Sequence, residues 1–280
     1  MVLGPRTLVM GVINVTPDSF SANRSTIDPL EALDRALAME AAGADLIDVG
    51  GESTRPGARA VGAAEEMARV GPVLRALAPR LRIPMSIDTY KAQVATLGLD
   101  EGACIVNDIS ALEYDPALGE VVAERGAPLV LMHTRGRPND MYEQAHYGDV
   151  VGDVCRELGQ RIERAVQMGI PRGHLVIDPG LGFGKRAEHS WAVLAGLDQL
   201  TALGCPILVG VSRKSFLTRA TGPLAPEARD WATAAAITAS VLSGAHIVRV
   251  HRVAEMVHVV RVADAIRAAD DAESTRQGRR

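Results

Sequence analysis

Gly43-Ala44-Asp45-Leu46-Ile47-Asp48-Val49-Gly50-Gly51-Glu52-Ser53-Thr54-Arg55-Pro56-Gly57 carries the pattern of the whole chain in one stretch. A glycine closes a helical pattern, where a left-handed backbone is needed that other residues resist. An apolar run, Asp45–Val49, follows at once and reads as a strand. It ends in polar residues and a long loop. Working outward, Gly-Ala recurs at Gly102-Ala103, Gly126-Ala127 and Gly244-Ala245, with Gly173 and Gly204 in similar places. Further strands are predicted at Leu8–Asn14, Ile83–Asp88, Cys104–Asp108, Pro128–His133, Leu175–Asp178, Pro206–Val211 and Ile247–His251. Such near-continuous apolar runs are expected of parallel strands covered on both faces.

Helical patterns fill the intervals: Pro29–Ala42, Ala63–Leu77, Lys91–Glu101, Pro116–Glu124, Asp149–Met168, His189–Leu203, Ala228–Leu242 and Val253–Ala268. Eight strand–helix units in ~250 residues is the arithmetic of a single (β/α)8 TIM barrel. A doubly wound open sheet is the competing topology. The helix-to-strand connections are short. The strand-to-helix connections are long, at Val15–Asp28, Gly50–Gly62, Thr134–Gly148, Pro179–Glu188 and Ser212–Glu227. The active site of the predicted barrel therefore lies at the C-terminal ends of its strands. The barrel is assigned to residues 1–268. Residues 269–280 are charged, lose periodicity and read as a frayed tail.

Composition narrows the function. A net charge of −4 without a basic run argues against nucleic acid as a partner. No apolar stretch nears the roughly 20 residues of a membrane span, and Leu8–Ile13 is too short for a signal-peptide core. Cys104, Cys155 and Cys205 are scattered and read as small buried apolar residues in a reducing cytoplasm.

Polar residues stand at nearly every predicted strand tip: Asn14, Asp48, Asp88, Asn107, Asp108, His133, Asp178, Ser212, Arg213, Lys214, Arg249 and His251. One such residue is often a helix cap, and Asp48 and Asp108 read equally well as structural. The whole set is hard to explain as capping. Asp88, Asn107 and Asp178, with Lys214 as a donor, fit a flat heterocycle bearing ring N–H, amino and carbonyl groups. Asn14, Thr54, Arg249 and His251 fit a phosphate or diphosphate, since Arg249 and His251 alternate onto one face of a strand. Asn14 also suits Mg²⁺, which takes few protein ligands and keeps phosphates and waters. Gly180-Leu-Gly-Phe-Gly and Gly210-Val-Ser-Arg-Lys-Ser lack the spacing of dinucleotide and P-loop motifs.

Charge is spelled with arginine almost everywhere. Of thirty Lys and Arg residues only Lys91, Lys185 and Lys214 are lysines, each just beyond a predicted strand. A compact ammonium is wanted where a planar fork would not serve. Lys91 opens a helix, where a cation is unfavourable to the dipole, and has no evident chemical role. Lys185 sits beside the predicted pocket in a supporting place.

Asn14-Val-Thr-Pro-Asp-Ser-Phe20, Asp48-Val-Gly-Gly-Glu-Ser-Thr-Arg-Pro-Gly57, Ser86-Ile-Asp-Thr89, Asn107-Asp108, Leu131-Met-His133, Asp178-Pro-Gly-Leu-Gly-Phe-Gly-Lys185, Ser212-Arg-Lys-Ser215 and Arg249-Val-His251 together resemble the bacterial dihydropteroate synthase family, from about Leu8 to Ala268. The resemblance implies a cytoplasmic, homodimeric folate-pathway transferase that uses Mg²⁺. It would join 6-hydroxymethyl-7,8-dihydropterin diphosphate to 4-aminobenzoate, giving 7,8-dihydropteroate and pyrophosphate. It implies Asp88, Asn107, Asp178, Phe183 and Lys214 around the pterin, with Asn14, Thr54, Arg249 and His251 at the diphosphate and Asn14 on the metal. Phe20, Arg55, Pro56, Ser212 and Arg213 would surround the 4-aminobenzoate, where sulfonamides would also sit. Arg249, His251, Lys214 and Asp88 would carry catalysis.

Two departures from the family pattern stand out. Its Ser-Asp-Gly-Gly after Phe20 becomes Ser21-Ala22-Asn23-Arg24, so the first loop loses a carboxylate and two glycines, although Asp18 is kept. Arg252 replaces the Asp that commonly follows His251. The alternatives are a weakly active or non-catalytic pterin-binding paralogue, and a methyltetrahydrofolate-type methyltransferase barrel. The latter would not need Ser-Thr-Arg-Pro, Ser-Arg-Lys-Ser or Arg-Val-His.

Overall fold

Strands and helices alternate along the chain in a computed structural model that describes residues 3–16, 28–55 and 57–277. The strands are β1 (Leu8–Asn14), β2 (Leu46–Gly50), β3 (Met85–Asp88), β4 (Ile105–Asp108), β5 (Leu129–Met132), β6 (Leu175–Asp178), β7 (Leu208–Val209) and β8 (Ile247–Val250). All pair in parallel, in the order β6-β5-β4-β3-β2-β1-β8-β7. A single parallel bridge, Ile177 to Ile207, joins the two ends. The sheet is thus a barrel rather than the competing open sheet.

Around it lie α1 (Pro29–Ala41), α2 (Ala63–Leu77), α3 (Ala92–Asp100), α4 (Ala117–Arg125), α5 (Val150–Gln167), α6 (Ala187–Ala195), the short turn α7 (Thr218–Thr221), α8 (Asp230–Leu242) and α9 (Val253–Gln277). Local chemistry starts and stops them. Asp28 caps α1 by accepting from the Leu30 N–H at 2.9 Å, with Pro29 at the first helical position. Gly126 ends α4 at φ 60°, the role expected of the Gly-Ala turns.

Three expectations shift. The helix predicted over His189–Leu203 breaks at Gly196 into α6 and a 3₁₀ stretch, Leu197–Leu203, as a poor helix former allows. The charged segment from 269 stays helical to Gln277 rather than leaving the helix at 268. Cys104 is exposed and Cys155 half-buried, so only Cys205 is buried as expected, although all three cysteines are free. Among the described residues no helix is long and apolar enough to cross a membrane.

Strand alternation builds the core in layers. Val9, Ile13, Ile47, Val49, Ile87 and Val106 face outward and pack with the helices. Leu8, Met10, Leu46, Ile105, Val130, Val176, Leu208 and Ile247 face inward and fill the barrel toward its N-terminal end. An apolar cavity of about 860 Å³ opens below them, at the end away from the polar strand tips.

Candidate active site at the strand tips

The same alternation sets the mouth. Two residues beyond inward-facing Leu46, Ile105, Val176 and Ile247 come Asp48, Asn107, Asp178 and Arg249. Asp88 joins them from the end of β3, paired in register with Gly50 and Asn107. Arg249 Nε donates to Asp48 Oδ2 at 2.6 Å, and its Nη2 donates to Asp88 Oδ2 at 2.7 Å. Asn107 Nδ2 donates to Asp48 Oδ2 at 3.1 Å, and the Ser86 hydroxyl donates to Asp48 Oδ1 at 2.5 Å. Fully buried Asp48 is therefore a hub, joining residues expected on the pterin to one expected on the diphosphate. Asp108 proves structural: it accepts from Ser110 N–H, Ser110 Oγ and Leu112 N–H at 2.7, 2.8 and 2.6 Å.

Burial dominates the charges here. It pushes the Asp88 carboxyl up to about 8, with nearby Asp48 adding to the rise and Arg249 opposing it. Burial also raises Asp178, against its hydrogen bond from the Gly180 N–H and the pull of Lys214. Burial and Arg249 bring Lys214 down to about 8. Burial, Arg249 and Arg213 hold the His251 imidazole down at about 3, so it is neutral near pH 7.

The Gly-rich loop after β6 brings the Phe183 ring under Lys214, whose Nζ lies 3.9 Å from the ring centroid. Phe183 packs in a small cluster with Ile109, Met132 and Met141, against Tyr90 and Tyr114. On the far side of the mouth, the Ser212 hydroxyl accepts the His251 N–H at 3.2 Å and lies 2.9 Å from its Nδ1. Ser212, expected beside the 4-aminobenzoate, thus orients the histidine. Arg213 holds φ 59°, unusual for a side chain with a Cβ. Its guanidinium is engaged by Asp230 at 2.9 and 3.1 Å. Arg252 turns to Glu255 and Asp230 on the exposed rim. Exposed Arg55 lies near enough to help lower His251.

Asn14 and half-buried Thr54 stand at the mouth ends of β1 and of the loop after β2. The Asn14 side chain has no hydrogen-bond partner among the described residues, and no group of three His, Cys, Asp or Glu there could hold a metal. Phe20, Pro56, Asp18, Ala22, Asn23 and Arg24 lie outside the described residues. Lys91, without a role in the sequence, has one in the fold. It pairs with Glu52 and with buried Glu66, and caps the Tyr90 ring at 4.3 Å. It ties the loop after β2 to helix α2. Sequence reasoning missed Glu157, which meets His133 Nε2 at 2.9 Å. The only signal was the unassigned His133 itself.

A barrel with paired carboxylates, an amide and a lysine at one mouth defines a binder of a polar heterocycle. The pterin-binding enzyme family matches residues 10–251. A dihydropteroate synthase from Synechocystis sp. is 42% identical over 263 residues, covering 94% of this chain and 91% of the relative. Among solved structures, Yersinia pestis dihydropteroate synthase in a sulfonamide drug complex aligns with a TM-score of 0.89 at 42% identity, covering 94% and 95% of the two chains. The Xanthomonas albilineans enzyme in complex with 7,8-dihydropteroate aligns with a TM-score of 0.85 at 39% identity, again covering 94% and 95%. The chain belongs to the pterin-binding enzyme family and, within it, to the dihydropteroate synthases.

Proposed function

We infer that this mouth condenses 6-hydroxymethyl-7,8-dihydropterin diphosphate with 4-aminobenzoate, releasing pyrophosphate and 7,8-dihydropteroate. The observation that carries the reading is the Asp48 hub, which joins Asn107 and Arg249 within one buried hydrogen-bond network. Asp88, Asn107, Asp178 and Lys214 suit the edge of the pterin, and Phe183 offers a ring face beside Lys214. Arg249 and His251 suit the diphosphate, with Thr54 at the loop edge. Arg55 and Arg213 suit the 4-aminobenzoate, with Ser212 acting through His251.

The aryl amine is a weak nucleophile, so catalysis rests on easing departure of the leaving group. Arg249 stabilises the charge that gathers on pyrophosphate as the C–O bond breaks. As cation character develops on the dihydropterin and its exocyclic carbon, its N–H groups and its positive charge draw Asp88 and Asp178 toward the ionised, accepting form that burial opposes, so the pair favours the cation over the ground state. The amine then attacks that carbon and loses its proton, with no strong base required. Approach of an anionic diphosphate raises the proton affinity of neutral His251, so the imidazole can donate to the departing group. Mg²⁺ at the Asn14 amide oxygen would add Lewis-acid neutralisation of the diphosphate. A single amide, without a hydrogen-bond partner among the described residues, suits a cation that draws its other ligands from phosphate and water.

Homodimerisation through the barrel's flank is supported by exposed Leu242, Val262 and Ile266 on α8 and α9. The free cysteines support a cytoplasmic setting. Pyrophosphate release measured with both substrates, with and without Mg²⁺, tests the reading. Turnover that needs 4-aminobenzoate and falls without Mg²⁺ is expected. Diphosphate binding without turnover would overturn it in favour of a pterin-binding paralogue.

A further inference from the structure

Lys185 is buried to 1% exposure, and no other ionisable residue is among the largest fully buried side chains of the described residues. Its Nζ donates to the carbonyls of Gly180 and Phe183, both at 3.1 Å, and lies 2.7 Å from His133 Nδ1 and 3.3 Å from the His133 carbonyl. The loop it serves lies hard against the exit of β5. A Cβ on Gly180 would sit 1.9 Å from the His133 carbonyl oxygen, and one on Gly184 2.7 Å from the Arg135 backbone. That approach leaves the loop's carbonyls facing inward, where water cannot serve them, and buried acceptors need donors.

The rest of the chain of contacts sets the proton positions. His133 Nε2 faces the Glu157 carboxylate at 2.9 Å, which places the ring proton there and leaves Nδ1 to accept from Lys185. Glu157 is engaged in turn by Arg135, which stacks 4.0 Å over Tyr147, whose hydroxyl donates to the Gly184 carbonyl at 2.7 Å. Both ends of the Gly-rich loop are therefore tied to the same network. A guanidinium, with five donors in a rigid fork, would overfill this cage. The position keeps one of the chain's three lysines for that reason.

We propose that Lys185 is a positioning residue for the pterin subsite: its Nζ, through hydrogen bonds to the Gly180 and Phe183 carbonyls, pins the Gly180–Gly184 loop and so fixes the Phe183 ring against Lys214. Lys185 touches neither substrate and acts through Phe183. The proposal rests on the pterin assignment of Phe183 and Lys214 made above. A ring that is no longer held weakens ground-state and transition-state binding of the pterin alike, which raises KM for that substrate.

The test is a kinetic cycle on the purified enzyme with Lys185→Met, Phe183→Leu and the double variant, with folding checked by thermal melting. Lys185→Met should raise KM for the dihydropterin diphosphate about tenfold and leave KM for 4-aminobenzoate unchanged, and the effect should largely vanish in the Phe183→Leu background. A fall in kcat with both KM values unchanged overturns the proposal, as does an effect that simply adds to that of Phe183→Leu. If Lys185→Met does not fold, Glu157→Ala serves, because it removes the acceptor of the His133 Nε2–H and so releases His133 from the part-exposed end of the network. It should give the same selective rise, and an unchanged pterin KM overturns the proposal. Absence of turnover in the wild-type enzyme would instead strike the function proposed above, so the two failures are distinct.

Discussion

The loop after β6 and the loop after β2 sit on opposite sides of the barrel mouth and are each held by a lysine, by opposite physics. Lys185 serves neutral acceptors in a backbone fit so close that Gly180 has no room for a Cβ. Lys91 serves two carboxylates, Glu52 and Glu66, beneath a loop whose Gly57 has nothing within 4 Å of a built Cβ. The first loop is fixed by shape, the second by charge. The shape-fixed loop carries Phe183 and follows Asp178, which the proposed function sets on the heterocycle, where a constant frame is needed. The charge-fixed loop carries Thr54 and Arg55, which it sets where the two substrates meet.

The largest effect should come from Gly180→Ala, which meets the His133 carbonyl at 1.9 Å in a residue with φ 63°. We expect a loss of about 4 kcal/mol in urea unfolding, and a loss under about 1 kcal/mol would break the contrast. Next comes Lys91→Met, at about 2 kcal/mol near pH 8. Its cost should depend on pH. Burial raises the Glu66 pKa, and Lys91 opposes that rise. Without the lysine the folded pKa climbs further. The variant therefore keeps most stability at low pH, where Glu66 is protonated, and loses it as pH rises through the elevated folded value. Melting curves from pH 5 to pH 8 read this directly, and a uniform cost would show that charge is not the tie. The same variant should raise KM for 4-aminobenzoate and spare the pterin, the mirror image of Lys185→Met.

Gly57→Ala should cost only about 1 kcal/mol, the penalty of a left-handed residue in open space, since φ is 77° and no clash follows. A larger loss would mean that the loop is packed more tightly than its surroundings imply. Smallest of all, Arg252→Ala should leave turnover and melting temperature unchanged, because its guanidinium is spent on Glu255 and Asp230 at the exposed rim. A change in the pH profile of turnover would instead tie Arg252 to His251.

Much of the fold is legible in the letters. β1, β6 and α2 fall on their predicted residues, because an apolar run between a glycine and a polar tip has few other ways to fold. β7 is shorter than its letters suggest: Pro206, Ile207, Gly210 and Val211 continue the run but lie outside the two-residue ladder. The polar tips of the mouth are legible as a set. Their wiring is not. The contact of Arg249 with Asp88 spans 161 positions and depends on closure of the barrel. The cage of Lys185 is built largely of backbone carbonyls, which no residue type announces. Ser212 can be placed at the mouth from its motif, but its commitment to His251 emerges only in three dimensions.

The seam between β6 and β7 has a consequence of its own. Neighbouring strands elsewhere are laced along a ladder, whereas here one bridge, Ile177 to Ile207, and the 2.9 Å bond from the Ile177 N–H to the Pro206 carbonyl do the joining. Amide exchange at Ile177 should therefore report the least costly opening in the sheet. Asp178 stands on one lip of that seam, and the Ser212–Lys214 segment leaves from the other. Any opening of that seam would change the span between Asp178 and Lys214, and a ligand bridging the two would act as a stitch.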